Sequence, residues 1–446
     1  MLTIGKLPAA PTAPLFKRFA SAIGEHLLIA PHSRLFDLPP DFAAALDRQE
    51  EEPLQLVAAL AQAASGEEGL EKVVAPNPQS LSLNVSSSCN LACAYCYAGQ
   101  GAFKGAQPSP MSWEVARAAI DRLFATADAQ APLTVGFLGG EPFVNRALIH
   151  RATHYAAEAG AARGLDVRFA VTTNGTLLNK NDIELLRAYR FAVTVSVDGG
   201  VELHDAQRPL AGGQAGSFAR LCAALGPLLA DPGLALVAAR ATVNRRDFNL
   251  RQRFAAILAA GFPEVGFAPL RAAGPDAGAL HDEDWPRYLA ALTELAEDER
   301  ARALQGANIR LTNFAVALKQ LYRGASSPYP CGAGGGYFSV AANGDWYACH
   351  RAIGAPAYRL GDNHGLDEMR RRDFLTSRHV HAQTACQTCW ARYLCSGGCH
   401  QEATQRTESA CGFVRGWLEF CLRAYCELSA HRPEFFSADQ YLGGQQ

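Results

Sequence analysis

Thirteen cysteines in a chain of 446 residues, none before residue 80 and nine after residue 330, constrain this sequence more than any other feature. Cys89, Cys93 and Cys96 form one tight group. Cys222 stands alone, and Cys331, Cys349, Cys386, Cys389, Cys395, Cys399, Cys411, Cys421 and Cys426 follow. The N-terminal stretch MLTIGKLPAAPTAPLFKRF lacks the continuous apolar core and small-residue cleavage site of a secretory signal, so a cytoplasmic location is expected. There a disulfide framework is out of place, and so many thiols read first as metal ligands. Cys222 sits in SFARLCAALGPLLA, whose helical periodicity predicts a buried core thiol.

Charge narrows the partners. Forty-one basic residues against 43 acidic ones leave a net charge of −2, so no global field recruits nucleic acid or an anionic membrane. The most apolar long stretch, Leu221 to Ala239, is broken by Pro227, Asp231, Pro232 and Gly233 and is a poor bilayer span. Neither nucleic acid nor membrane is expected as a partner.

From residue 81 to 270, short β-rich runs alternate with longer amphipathic stretches. The runs are LSLNVS, LTVGFLG, VRFAVTT, FAVTVSV, LALVAARATV and EVGFAPL; between them lie helical patterns such as WEVARAAIDRLFATA and RALIHRATHYAAEAGAA. Periods of two and 3.6 in alternation predict βα units with parallel strands, and their natural closure is an α/β fold, a partial (β/α)6 TIM-type barrel over residues 79–275. Residues 1–78 read as a small α+β element ending in a linker marked by Pro76 and Pro78. Residues 276–330 read as a helical linker. Residues 331–446, rich in Gly, Cys and aromatics, are expected to fold around metal.

The first cysteine group reads SSSCNLACAYCYAG, with C-x3-C-x2-C spacing in a loop just after a predicted strand. Three thiolates so placed can hold three irons of a cubane and leave the fourth iron without a protein ligand. A zinc site wants a fourth Cys or His nearby, and the loop through Phe103 offers none. Three further motifs fall at predicted carboxyl ends of strands, where barrel active sites are built: Gly139-Gly140-Glu141-Pro142, Thr172-Thr173-Asn174-Gly175 and Ser196-Val197-Asp198-Gly199. Singly, each is an ordinary turn former.

Together these segments resemble the radical S-adenosylmethionine enzymes, down to aromatic Tyr95 before the third cysteine. The resemblance covers roughly residues 81–270. It implies a [4Fe-4S] cluster on Cys89, Cys93 and Cys96 whose open iron chelates S-adenosylmethionine. A reducing electron, from a donor such as flavodoxin or ferredoxin, then cleaves the sulfonium to methionine and a 5′-deoxyadenosyl radical. Tyr95, Gly139, Gly140, Glu141, Pro142, Thr173, Asn174, Ser196, Asp198, Arg208 and Leu270 are implied as cofactor contacts. The GGEP turn would hold the amino end, the TTNG turn the ribose and Leu270 the adenine, with Ser196 and Arg208 matching positions of sulfatase-maturating relatives.

The C-terminal pattern, Cys331-x12-Gly344-x4-Cys349, then Cys386-x2-Cys389-x5-Cys395-x3-Cys399, then Cys411, resembles the seven-cysteine SPASM extension, an iron-sulfur domain with two auxiliary [4Fe-4S] clusters. Taken alone, the four-cysteine run also suits a zinc ribbon. The resemblance implies Cys331, Cys349 and Cys399 for auxiliary cluster I, and Cys386, Cys389, Cys395 and Cys411 for auxiliary cluster II, three clusters in all. Either Cys421 or Cys426 completes cluster I, or its fourth iron is free to bind a substrate thiolate; otherwise those two are core thiols of a terminal helix.

Sulfatase-maturating enzymes follow the second of these cysteines with an Asp used as base, whereas here His350 follows Cys349. The strings WYACHRAIGAPAYRLGD and CWARYLCSGGCHQEA instead resemble maturases that form thioether crosslinks between a cysteine sulfur and a peptide carbon. Most similar is the type that matures the small subunit of quinohemoprotein amine dehydrogenase, followed by the six-cysteine-peptide type. The implied partner is a polypeptide with cysteines. Asp198, Glu141 and His350 are candidate bases; His350 and His400 read first as structurally packed groups, the alternative being support of the site from behind its ligands. HLLIAPHSRLFDLPPDFAAAL weakly resembles the start of elements that grip a leader peptide at a strand edge, the alternative being a cap on the barrel.

Overall fold

The first elements are β1 (Leu2–Lys6) and an antiparallel sheet of β2 (Phe16–Ser21), β3 (Gly24–Ile29) and β4 (Arg34–Leu38), then α1 (Pro40–Asp47), α2 (Glu51–Ser65) and β5 (Lys72–Ala75), which pairs with β1. The structure, a computed structural model, describes residues 2–6, 16–65, 72–103, 109–213, 216–271, 278–402 and 406–437. Leu27 and Ile29 of β3 pack on Val57 and Ala61 of α2, with Phe16, Leu38 and Phe42 around them. That apolar contact fastens the helices to one face of the small sheet.

All six β-rich runs become parallel strands: β6 (Ser80–Ser86), β7 (Leu133–Gly139), β8 (Val167–Thr173), β9 (Phe191–Ser196), β10 (Leu236–Val243) and β11 (Val265–Pro269). They lie side by side in chain order. Between them run α3 (Trp113–Thr126), α4 (Arg146–Ala161), α5 (Lys180–Ala188), α6 (Val201–Gln207), α7 (Phe218–Ala230) and α8 (Leu250–Ala259). Local chemistry starts several of these helices. Ser112 accepts the Val115 N–H at the head of α3, and Asn179 with Asp182 forms a reciprocal capping box on α5. Phe137, Phe169 and Phe191 stack across β7, β8 and β9 with centroids 5.2–6.2 Å apart. The expected parallel α/β barrel is present.

Beyond α9 (Trp285–Leu304) and α10 (Thr312–Tyr322), the chain adds β12 (Tyr337–Val340), β13 (Asp345–Tyr347), β14 (Arg359–Asp362) and β15 (Gly365–Leu366), then α11 (Glu368–Arg378), α12 (Arg392–Cys395), α13 (Glu408–His431) and α14 (Glu434–Ser437). Periodicity did not reveal these four short strands. β12 pairs parallel to β6, with Tyr337 opposite Ser80, and β13 to β15 follow antiparallel, so the barrel sheet grows to ten strands.

The chain falls into two compact units, one of residues 1–2, 75–281 and 332–374, the other of residues 3–74, 282–331 and 375–446. The first holds the ten-stranded sheet. The second has an aromatic core in which Tyr288 of α9 meets Phe413 of α13 at 4.9 Å and Phe314 of α10 meets Phe420 at 5.6 Å. The stretch expected as one unit from residue 331 is shared between both, and the boundary expected at 275/276 lies outside the described residues. Among the described residues, no helix is long and apolar enough to cross a membrane.

Candidate functional site

Cys89, Cys93 and Cys96 lie in the loop that leaves the carboxyl end of β6, near enough together that a negative charge on one disfavours charge on the others. Burial pushes Cys89 up to about 12 and raises Cys93 as well, the latter countered by the neighbouring Arg208 guanidinium. Yet the surroundings suit sulfur that carries negative charge. The Leu91 N–H lies 3.4 Å from Cys89 Sγ, the Gln100 N–H 3.3 Å from Cys96 Sγ, and Asn174 Nδ2 3.8 Å from Cys89 Sγ. Three half-buried thiols, two of them met by N–H donors, fit an iron-sulfur cluster, whose metal charge would keep them deprotonated.

The turn after β7 is held by close backbone approach. Gly140 donates to the Ser86 carbonyl at 2.8 Å and Glu141 to the Ser88 carbonyl at 2.9 Å. A Cβ on Gly140 would stand 2.4 Å from the Ser88 oxygen and 2.8 Å from the Gln100 oxygen, so only glycine fits against the cysteine loop. Glu141 is fully buried. Its carboxylate accepts from Thr173 Oγ1 at 2.7 Å, Asn174 N–H at 2.7 Å and Phe143 N–H at 3.1 Å. Burial raises its pKa to about 7 against these hydrogen bonds. The side chain thus ties the GGEP turn to the turn after β8, where Asn174 Nδ2 also donates to Asn90 Oδ1 at 2.9 Å. Pro142 and Phe143 are buried behind it.

Ser196, the last residue of β9, is half-buried, and Asp198 just beyond it is fully buried. Arg208 grips Asp198 twice, at 2.9 and 3.2 Å; the Thr242 N–H donates to it at 2.8 Å, and the Tyr95 hydroxyl bonds it as well. Burial works against the Asp198 charge, but the Arg208 cation overrides it and holds the carboxyl below the usual range. Arg208 lies 5.3 Å from the Tyr95 ring centroid, and Tyr95 packs on Leu270 beside Cys93. Two residues that pattern reading missed complete the lock. Arg253 donates to the Asp198 carbonyl at 2.7 Å, and buried His204 accepts the Asp198 N–H at 3.4 Å and bonds Ser217 at 3.0 Å. Nothing in the sequence marked them.

Cys349 lies in the first unit, in the turn after β13, and the Arg351 N–H stands 3.4 Å from its sulfur. His350 bonds the Tyr337 hydroxyl at 3.1 Å, which in turn bonds Ser82 at 2.7 Å; burial lowers the imidazole to about 4, so it is neutral near pH 7. Cys331 and Cys399 belong to the second unit. There Cys386, Cys389, Cys395 and Cys411 come together, each buried or half-buried and each within electrostatic reach of the others. Cys421 is fully buried in α13 as a core thiol, with Cys426 half-buried one turn on. His400 is buried and accepts from Arg378 at 3.3 Å. Cys222 is half-buried on α7 rather than sealed in the core.

The sequence model of the Radical SAM superfamily matches residues 83–224, the segment carrying the three thiols and the rim turns after β7, β8 and β9. A serine-type anaerobic sulfatase-maturating enzyme of Bacteroides thetaiotaomicron is 28% identical over 358 residues, spanning 72% of this chain and 82% of that enzyme. An uncharacterized protein of Methanocaldococcus jannaschii is 34% identical over 134 residues, 30% of this chain and 43% of its own length. Among solved structures, native anSMEcpe with bound AdoMet and the Cp18Cys peptide superposes with a TM-score of 0.66 at 18% identity, covering 79% of this chain and 99% of that one. Streptococcus suis SuiB bound to precursor peptide SuiA gives 0.50 at 13% identity, covering 90% and 98%. The chain shares the fold of these solved structures, carries the segment matched by the Radical SAM superfamily, and is similar to sulfatase-maturating enzymes.

Proposed function

We propose that the chain is a peptide maturase that uses S-adenosylmethionine to join a cysteine sulfur to a carbon of the same polypeptide, as in maturation of the quinohemoprotein amine dehydrogenase small subunit. The observation that carries the radical reading is the rim itself: three thiols on one loop, held against Gly140 and Asn174, with N–H donors aimed at sulfur. In this reading Cys89, Cys93 and Cys96 hold the catalytic cluster, and Tyr95, Leu270, Ser196 and the backbone of Gly139 to Pro142 line the cofactor's seat. When bound, cluster and S-adenosylmethionine together supply a carbon-centred radical that takes hydrogen from the peptide.

The chain's own residues then have positioning roles. Glu141 welds two rim turns, and Asp198, locked by Arg208 and Tyr95, fixes the cysteine loop over the barrel. Both carboxylates are taken up by their hydrogen-bond partners, which favours these positioning roles over that of a base. Cys386, Cys389, Cys395 and Cys411 are the proposed ligands of an auxiliary [4Fe-4S] cluster that carries away the surplus electron. Flavodoxin or ferredoxin is the proposed reductant. The relatives' peptides, Cp18Cys and SuiA, support a polypeptide substrate. Strand β4 is one edge of the N-terminal sheet, without a paired strand on its outer side among the described residues, and suits an extended leader segment there.

A second reading, oxidation of a serine or cysteine to formylglycine, is favoured by the sulfatase-maturating relative. Neutral His350 where those enzymes carry an Asp weighs against it. Mass spectrometry of the peptide encoded nearest this chain, co-expressed with it, separates the two. A loss of two hydrogens with a cysteine that no longer alkylates supports the thioether; a formylglycine aldehyde in its place rejects it.

A further inference from the structure

The four thiols Cys386, Cys389, Cys395 and Cys411 have a cationic neighbour that no motif marks. Arg406 Nη1 stands 4.0 Å from Cys386 Sγ. Its other terminal nitrogen donates to Gln383 Oε1 at 2.8 Å, and Gln383 Nε2 donates onward to the Arg378 carbonyl at 3.0 Å. The glycine pair between Cys395 and Cys399 makes the space for both partners. A Cβ on Gly397 would fall 2.3 Å from the Gln383 amide, and one on Gly398 would fall 3.3 Å from Arg406 Nη1, both at left-handed φ of +77° and +69°.

The cation is also unspent. Among the described residues no carboxylate pairs with Arg406. Arg415, within electrostatic reach of Cys389, shares its charge with Glu408. A [4Fe-4S] cluster on four thiolates passes from a net charge of −2 to −3 when it takes one electron, and hydrogen bonds to sulfur and nearby charge set the potential of that step. An unpaired guanidinium at one ligand stabilises the reduced form more than the oxidised one.

We propose that Arg406, braced by Gln383 and seated over Gly397 and Gly398, is a positioning residue that raises the reduction potential of the cluster held by these four cysteines, making it the stronger electron acceptor. The proposal rests on the auxiliary-cluster reading above. Its test is an anaerobic redox titration with dithionite as electron source, followed by electron paramagnetic resonance and iron analysis. The protein is the full chain carrying C89A, C93A and C96A, so that only C-terminal iron reports. In R406Q the iron content stays and one wave moves to lower potential, with the oxidised-to-reduced ratio at fixed ambient potential rising at least tenfold, 59 mV for a one-electron couple. R406K, which keeps the charge, lies between. If R406Q sheds its iron, Gln383→Leu keeps the arginine but frees its fork, and a smaller shift in the same direction is expected. Unchanged potentials in variants that retain iron overturn the proposal alone. A parent protein without reducible C-terminal iron overturns the cluster assignment and the proposal with it, so the two failures are distinguishable.

Discussion

Arg208 and Asp198, ten positions apart on either side of α6, close a two-point ion pair in which both side chains are buried and the Tyr95 hydroxyl occupies the same carboxylate. The pair fastens the third-cysteine end of the cluster loop to the carboxyl ends of β9 and β10. Removing one partner leaves an uncompensated buried charge. Asp198→Ala is therefore expected to cost about 3–5 kcal/mol of stability, read as a lower midpoint in urea unfolding of the protein. A variant as stable as the parent contradicts the lock.

Glu141 serves the neighbouring turns in the same way. Glu141→Gln swaps one accepting oxygen for a donor that faces Thr173 Oγ1 or the Asn174 N–H, and a loss of about 1–3 kcal/mol is expected. The melting temperature falls while the C-terminal iron stays in place. A catalytic-base role for this residue predicts the opposite pattern: unaltered melting with turnover abolished.

Gly140 tests how tightly the cysteine loop is held. A methyl group there collides with the Ser88 and Gln100 carbonyl oxygens, so Gly140→Ala displaces the loop. Iron bound at Cys89, Cys93 and Cys96 drops, and iron at the C-terminal cysteines is retained. Full iron in the first site of this variant argues against the close approach.

Sequence pattern told most where burial is two-sided. Leu133–Gly139 read as a strand to the residue because Leu133, Val135 and Phe137 face one packed layer in a fully covered parallel sheet. β12 to β15 were not legible, being two to four residues long among glycines and turns. The thiols and rim turns stood out as motifs, but their internal bonding did not. Arg208 and Asp198 both looked like cofactor ligands, and only the folded chain brings them onto each other. The Gly397-Gly398 pair was visible, while the reason for it, Gln383 and Arg406, was not.

His204 gives the protein a pH dependence with a definite sign. Burial and the nearby Arg208 charge lower its pKa to about 4, and its Nδ1 accepts the Asp198 N–H only when neutral. The unfolded chain then binds more protons between the ordinary histidine pKa and about 4, so this contribution is complete above the former and declines as pH falls. Between pH 7 and pH 5 it amounts to about 2 kcal/mol. His204→Gln is expected to show a smaller drop in melting temperature over that interval than the parent; an equal drop removes His204 as its source.

The central claim is that Cys89, Cys93 and Cys96 hold an iron cluster with one site open to S-adenosylmethionine. The most direct measurement is electron paramagnetic resonance of the anaerobically reduced protein before and after adding S-adenosylmethionine, with methionine and 5′-deoxyadenosine assayed in the same sample. A spectrum that changes on addition, with both products formed, and neither effect in Cys96→Ala, is the predicted result. A spectrum indifferent to S-adenosylmethionine, or cleavage that survives in Cys96→Ala, contradicts the account.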